Sequence, residues 1–410
     1  MAAHVIAESA LAPPIGPYSY AVRAGHLVFL GGVPGTTAEG QMAGQTPGRA
    51  DVAAQTAEAL ACARLAVERA GGRWDNLLRL NVFLEDWKRL EEFEASYARL
   101  VSTPGPARSL VGYRLAQDSM LVEVEGMAGV DGVTDVVLDG DGDAPSQVGR
   151  RLGSLVCLGA VLPLGPEGRV VSRTDVEGQG AVVVERIERA LAAAGARAAD
   201  VVRVRGALAD VRVRPGYEAA LASRLPWASV ASAAVGASLP IQGALLAVEV
   251  TAILGSRRVL HILPGVVPPA VLAGDLLVIP GIQSLGLDGR VLDPGDVRAQ
   301  TEHVLDRLQA TVEAAGLGLA DVVQTEVTLA DFRSYRAYNT AYARYFRPPY
   351  PARSTVQAQL GGPTQHGLMI QIEALAAAGT ARATTVVTAA RSFYRPDEPA
   401  ASRSPEATAS

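Results

Sequence analysis

Two nearly identical stretches, Pro-Ala-Arg-Ser-Leu-Val at 106–111 and Pro-Ala-Arg-Ser-Thr-Val at 351–356, set an arginine in the same local context far apart in one chain. A guanidinium is always charged and presents a rigid fork of donors that matches a carboxylate. The midpoint between the two falls near residue 230, where 226–231 reads Pro-Trp-Ala-Ser-Val-Ala. Pro226 and Ser229 match the other copies, while Ala228 stands at the arginine position. The phrase reads as written three times, with its middle copy stripped of charge.

Other chemistries find little support. Lys88 is the sole lysine and lies in an exposed-looking stretch, Glu-Asp-Trp-Lys-Arg-Leu. Schiff-base or pyridoxal chemistry needs a partly buried lysine of lowered pKa, so that class is set aside. Cys62 and Cys157 are too few for a disulfide framework, and Cys157 on an apolar strand reads as core rather than nucleophile. His4, His26, His261, His303 and His366 are scattered without metal-ligand spacing, so no metal and no cofactor are expected. Asp-Gly-Asp-Gly-Asp at 139–143 resembles the start of a calcium loop, but Ala144 takes the turn-glycine position and no Glu closes it.

The elements that must carry the arginines recur in threes, as tandem copies do. Apolar strands that turn on glycine occur at 26–35, 152–163 and 273–283. Amphipathic helices follow at 51–72, 176–196 and 296–316, each running out on glycine. A β-rich segment closed by Asp comes next, then a second helix, the arginine phrase or its remnant, and an alternating strand such as Leu-Val-Glu-Val-Glu at 121–125. The run Tyr335, Tyr338, Tyr342, Tyr345 and Phe346 keeps helical spacing and reads as packing. The order is that of an α+β unit, a mixed sheet with two helices on one face. The expected division is unit one at 1–130, a solvated linker at 131–150, unit two at 151–256, unit three at 257–383, and a disordered Pro-, Ala- and Ser-rich tail at 384–410.

A chain of 410 residues, 49% hydrophobic, has room for about three packed domains. No apolar run approaches the ~20 residues of a membrane span, and the N-terminus lacks the features of a secretory signal. A net charge of −5 gives no basic footprint for nucleic acid. A cytoplasmic protein whose partner is a small molecule is the natural expectation.

With these features assembled, the chain resembles the RidA/YjgF family of reactive-intermediate deaminases. Unit one carries the family signatures Ile-Gly-Pro-Tyr-Ser-Tyr at 15–20, Val-Phe-Leu-Gly-Gly-Val-Pro at 28–34, and Pro-Ala-Arg-Ser followed by Leu-Val-Glu-Val-Glu-Gly-Met-Ala at 121–128. Unit three matches as strongly, from Asp296 through Pro-Ala-Arg-Ser to Ile-Gln-Ile-Glu-Ala-Leu-Ala at 370–376, and unit two matches mainly in layout. The family's members assemble as homotrimers of chorismate-mutase-like subunits with ligand clefts between neighbours. The resemblance therefore implies three fused units forming an intramolecular pseudo-trimer, monomeric or in higher oligomers.

It also implies a chemistry. In the family an imine or enamine is hydrolysed to a keto acid and ammonia, the arginine gripping the substrate carboxylate and a strand carboxylate moving a proton or positioning water. Carried over, unit one supplies Tyr18, Arg108 and Glu123 as catalytic candidates, with Gly31 and Ser109 as binding residues and Glu94 at a helix position where the family has asparagine. Unit three supplies Arg353 and Asn339 for substrate binding but has Gln371 at the strand carboxylate. Unit two keeps Glu249 on the strand, with Ala228 for the arginine and Glu218 for the asparagine. No unit holds the full set. The expected working cleft is built around Arg108, Glu123 and Tyr18, completed by unit three, with a second, non-catalytic cleft at Arg353. The unequal copies argue for a dedicated substrate, plausible in secondary metabolism. The alternatives are a chorismatase-like lyase or hydrolase, and a catalytically silent binding or scaffold protein.

Overall fold

Three helix starts show how closely the units repeat. Asp51 accepts a hydrogen bond from the Ala54 N–H, Asp175 from Glu177, and Asp296 from Arg298 and Ala299, each satisfying donors that the first turn leaves free. Each of these helices ends in a glycine with positive φ, at Gly71, Gly195 and Gly316. The computed structural model describes residues 3–46, 50–102, 104–138, 146–361, 365–379 and 383–394. Unit one runs β1 (His4–Glu8), β2 (Ala21–Ala24), β3 (Leu27–Pro34), α1 (Val52–Arg69), β4 (Leu77–Leu84), α2 (Leu90–Leu100), β5 (Ala107–Val111) and β6 (Val122–Gly129). Then come β7 (Thr134–Leu138), β8 (Ser146–Leu152), β9 (Leu155–Val161), α3 (Val176–Ala193), β10 (Val201–Leu208), α4 (Arg214–Ala222), β11 (Ala231–Gly236) and β12 (Leu246–Ile253). The last third holds β13 (Arg257–Leu260), β14 (Ala270–Ala273), β15 (Leu276–Gln283), α5 (Val297–Ala314), β16 (Val322–Leu329), α6 (Tyr335–Tyr345), β17 (Ala352–Gln357), β18 (Ile370–Ala377) and β19 (Ala383–Ala389).

One buried glutamine staples each unit. Gln55 on α1 donates to Ser119 O at 2.8 Å and accepts from Leu121 N–H at 2.7 Å. Gln179 and Gln300 make the same pair of bonds, to Gly243 and Leu245 and to Gly367 and Met369. The long helix is thus tied to the turn before the last strand, which fixes where that strand starts.

The sheets are ordered β1-β19-β2-β3-β6-β4-β5, β11-β10-β12-β9-β8-β7 and β13-β14-β15-β18-β16-β17. In each, the strand carrying the arginine phrase or its remnant pairs parallel to the middle strand, as a βαβ crossover requires. The strand that follows each unit's closing strand crosses to the next sheet. β7 pairs with β8, β13 with β14, and β19 with β2, all antiparallel. The exchange is cyclic, and the C-terminal strand closes the ring.

Two boundaries differ from expectation. The 131–150 stretch is not a plain linker, since β7 and β8 pair within it and extend the second sheet; residues 139–145, with the Asp-Gly repeat, lie outside the described residues. The segment from 384 does not begin as a tail either. β19 lies between β1 and β2, with Val386 and Val387 buried, because its β-branched run completes the first sheet. Residues 395–410 lie outside the described residues.

The helices cover the outer faces and the sheets face one another. The shared core joins Val22, Phe29 and Met127 from the first sheet, Cys157, Val202 and Ile253 from the second, and Val278, Val323 and Leu375 from the third. The spare sheet face of each unit is covered by its sisters, an intramolecular pseudo-trimer. Cys62 and Cys157 are both buried and unpaired. No described helix is long and apolar enough to cross a membrane.

Beside this apolar layer the sheets bury charge. Arg203 reaches Glu326 and Glu373 at 2.5 and 2.7 Å, Arg79 reaches Glu326 at 2.9 Å, and Arg205 reaches Glu326 at 3.1 Å and Glu373 at 3.2 Å. Glu125 and Glu249 each lie 3.6 Å from Arg205. Equivalent positions are not all alike: Arg79, Arg203 and Gln324 share one layer, and Asn81, Arg205 and Glu326 the next. Buried charges of this kind serve specificity better than stability. Only the second layer carries a different residue in each unit, so the three units are not interchangeable in this charge network.

Candidate active site

Strand register decides which residues are true counterparts. On β6, Glu123 lies opposite Phe83 and Glu125 opposite Asn81. The residues in Glu123's place are Ala247 on β12 and Gln371 on β18, while Glu249 and Glu373 correspond to Glu125. Unit two therefore lacks the site carboxylate, and Glu249 belongs to the buried charge layer. The arginine phrase is corrected in the same way. Arg108 lies opposite Leu80, Arg353 opposite Thr325, and the matching residue opposite Val204 is Ser232, not Ala228. Ala228 sits in a short 3-10 turn, Trp227–Ser229, ahead of the strand.

The first and third units bring Tyr18, Glu123, Arg353 and Tyr335 to one narrow cleft, with Ile15, Gly32 and Thr355 in its walls. The approach is close because glycines permit it. A Cβ on Gly16 would fall on Arg353 Nη2, one on Gly32 would fall on Glu123 Oε1, and one on Gly31 would stand 2.7 Å from Arg353 N. Gly31's own N–H is taken by Tyr20 O at 2.8 Å, so it provides close packing between units. The N-terminal segment is laid along β17 by a Ser19 N–H bond to Pro351 O at 3.0 Å, which puts Tyr18 beside the arginine.

Arg353 is 2% exposed, yet no carboxylate among the described residues pairs with it. Its Nη1 donates to Asn339 Oδ1 at 2.9 Å and its Nη2 to Tyr335 OH at 3.2 Å. Its Nε has no partner, and neither has the nearby Thr355 hydroxyl. The rings of Tyr18, Tyr338 and Tyr342 lie 5.4, 5.2 and 5.0 Å from the guanidinium carbon, within cation–π range. The tyrosine run of α6, read from sequence as packing, thus also boxes the arginine. Such a cation lacks the counter-ion that burial calls for.

Glu123 is 6% exposed. Burial, helped by repulsion from Glu125 and only partly opposed by Arg353, pushes its carboxyl up to about 8, so it holds a proton at neutral pH. Burial likewise raises the Tyr18 hydroxyl above its ordinary range, keeping it a donor. Glu125, two residues along the same face, is held by Ser354, next to Arg353, and by Asn81 at 3.0 Å. The cleft therefore pairs an unneutralised cation with a protonated acid.

Arg108 lies elsewhere, in a wider cleft between units one and two. Glu94 clamps it through two bonds of 2.8 Å, Nη1 to Oε2 and Nη2 to Oε1, and Tyr97 covers it at 4.7 Å. That cleft faces Gly159 and Ala160, with Ala247 where a carboxylate would stand. Ser109 is fully buried beside Arg108 and does not line the Arg353 cleft. At the third junction, Ser232 replaces the arginine and Gln371 is bonded to Gln283 at 2.7 Å. Of the expected residues, Tyr18, Glu123, Gly31, Arg353 and Asn339 come together; Arg108 and Ser109 do not join them.

Among solved structures, RidA from an Antarctic Psychrobacter is 30% identical over 26% of this chain and 85% of its own, with a TM-score of 0.24. A YjgF-family protein of Mycobacterium tuberculosis is 29% identical over 30% and 99%, with a TM-score of 0.25. A chorismatase is 17% identical over 74% of this chain and 93% of its own, with a TM-score of 0.52, a likeness of fold. The profile described as Endoribonuclease L-PSP matches residues 9–130 and 266–378 and passes over the second unit. The chain belongs to that family, the family of RidA and YjgF.

Proposed function

We propose that this protein is a hydrolase that deaminates a small carboxylated imine or enamine in the cleft between units one and three. The observation that carries this reading is Arg353, a buried cation without a counter-ion, sharing a cleft with the buried, protonated Glu123. The free Nε of Arg353 and the Thr355 hydroxyl are donors suited to the substrate carboxylate.

In this reading Glu123 gives its proton to the imine nitrogen, and the resulting carboxylate takes a proton from water as the oxygen adds to the imine carbon. Returning that proton to nitrogen makes ammonia the leaving group; as the carbon–nitrogen bond breaks, the new hydroxyl gives its proton to the Glu123 carboxylate, which leaves a keto acid and restores the protonated Glu123. One group acts as acid and then as base, which suits a pKa near the working pH. Because the reaction begins from the protonated form, kcat/KM falls as pH rises through about 8.

The test is ammonia release from 2-iminobutanoate generated in situ by amino-acid oxidation. The wild-type protein should accelerate release, with kcat/KM declining above about pH 8. A rate equal to that without protein would contradict the proposal.

A further inference from the structure

The family match ends at residue 378, so β19 and the residues after it lie beyond that span. β19 is bound firmly into the first sheet: Tyr20 N–H donates to Val387 O and Ala390 N–H to Glu8 O, both at 2.9 Å. The chain then turns and touches both units that build the Arg353 cleft. Phe393 N–H donates to Pro14 O at 3.2 Å in unit one, and the Tyr394 hydroxyl reaches Asn339 O at 3.4 Å in unit three. The Phe393 ring lies over Gly40, where a Cβ would stand 2.9 Å from Cε2.

The segment from Pro14 to Tyr18 is what hides the arginine, since Gly16 packs against both Arg353 Nη2 and Asn339 Oδ1. A ligand carboxylate bound at Arg353 has to be accommodated beneath or beside this cover. The contacts that hold the cover from outside lie near the surface; among them are the Phe393 backbone bond, the Tyr394 hydroxyl contact and a Phe393 ring that is 52% exposed. Contacts of that kind open locally at little cost, while β19 beside them is anchored in a sheet. At the other two junctions the counterparts of β19, β7 and β13, lead directly into β8 and β14 of the next sheet, whereas the described residues after β19 turn across this junction.

We propose that Arg391–Tyr394 is a latch that holds the Pro14–Tyr18 segment against α6, with Phe393 and Tyr394 as positioning residues for Tyr18 and for the cover over Arg353. The ligand assigned to the cleft rests on the functional reading above; the latch itself does not.

Hydrogen exchange read by mass spectrometry on the full chain tests it. The comparison uses wild type, a chain ending at Arg391 that keeps β19, Phe393→Ala and Phe393→Tyr. Residues 12–20 should exchange about tenfold faster in the truncated chain and in Phe393→Ala. The 383–389 peptide should stay as protected as in wild type, and Phe393→Tyr should restore slow exchange. Unchanged exchange at 12–20, equal loosening of 383–389, or failure of Phe393→Tyr to restore protection would each overturn the latch. Added 2-oxobutanoate should slow exchange at 12–20 in wild type. If it does not, the functional reading fails, while the comparison of variants still decides the latch.

Discussion

Arg353 and Arg108 stand in the same four-letter phrase, on equivalent strands, beneath equivalent helices, and they meet opposite fates. At Arg353 the helix offers Asn339, a neutral acceptor, and the neighbouring unit offers Glu123. At Arg108 the helix offers Glu94, which saturates the guanidinium, and the neighbouring unit offers Ala247. The difference shows that one arginine phrase can stand in two electrostatic settings. What decides is whether the residue facing the fork leaves its charge available, and whether the next unit supplies an acid. A homotrimer would be bound to three identical clefts; a fused chain can hold three different ones.

The largest expected contrast comes from the arginines themselves. Arg353→Ala should lower kcat/KM for the in-situ imine by about a hundredfold or more, as loss of a charged, orienting contact does. Arg108→Ala should stay within about twofold of wild type. Equal losses in the two variants would erase the distinction drawn between the clefts.

Glu123→Gln sharpens it further. Removing a general acid–base group should cost about 10²–10⁴ in rate. The same change should help stability at high pH, and the sign follows from linkage. A folded-state pKa of about 8, above the ordinary carboxyl value of 4.5, means the native state keeps a proton that the unfolded chain has lost. Wild-type stability therefore falls as pH rises from about 4.5 to about 8. The Gln variant lacks this loss, so its Tm relative to wild type should rise between pH 5 and pH 9. A difference independent of pH would mean Glu123 titrates normally.

A smaller effect is expected from rebuilding the Arg108 cleft. Glu94→Asn with Ala247→Glu frees Arg108 and restores a facing acid. Calorimetric titration with 2-oxobutanoate should then show a second, weaker site, in the millimolar range. An unchanged single site would show that more than these two residues separates the clefts.

Much of this architecture was legible in the sequence, for identifiable reasons. Helix spacing, Asp caps and terminal glycines are local signals, and they marked three units with α1, α3 and α5 close to their observed bounds. Failures arose where position depends on partners. By letters Ala228 matches the arginine, but the short turn at Trp227–Ser229 delays the strand and register puts Ser232 opposite Val204. Glu123 and Glu125 share a strand face, so alternation could not say which of them Glu249 matches. The acidic, glycine-rich composition of 131–150 masked β7 and β8, although the Thr-Thr-Val-Val run of β19 was a readable strand signal. Which arginine meets which acid depends on how the units face one another. That is set by groups such as Arg203 and Glu326, separated by more than a hundred residues.

The most direct measurement is a crystal of the wild-type protein soaked with 2-oxobutanoate. One molecule per chain is predicted in the cleft between units one and three, its carboxylate on Arg353 and its keto carbon facing Glu123. A molecule bound to Arg108 in place of Glu94, with the Arg353 cleft empty, would contradict the account.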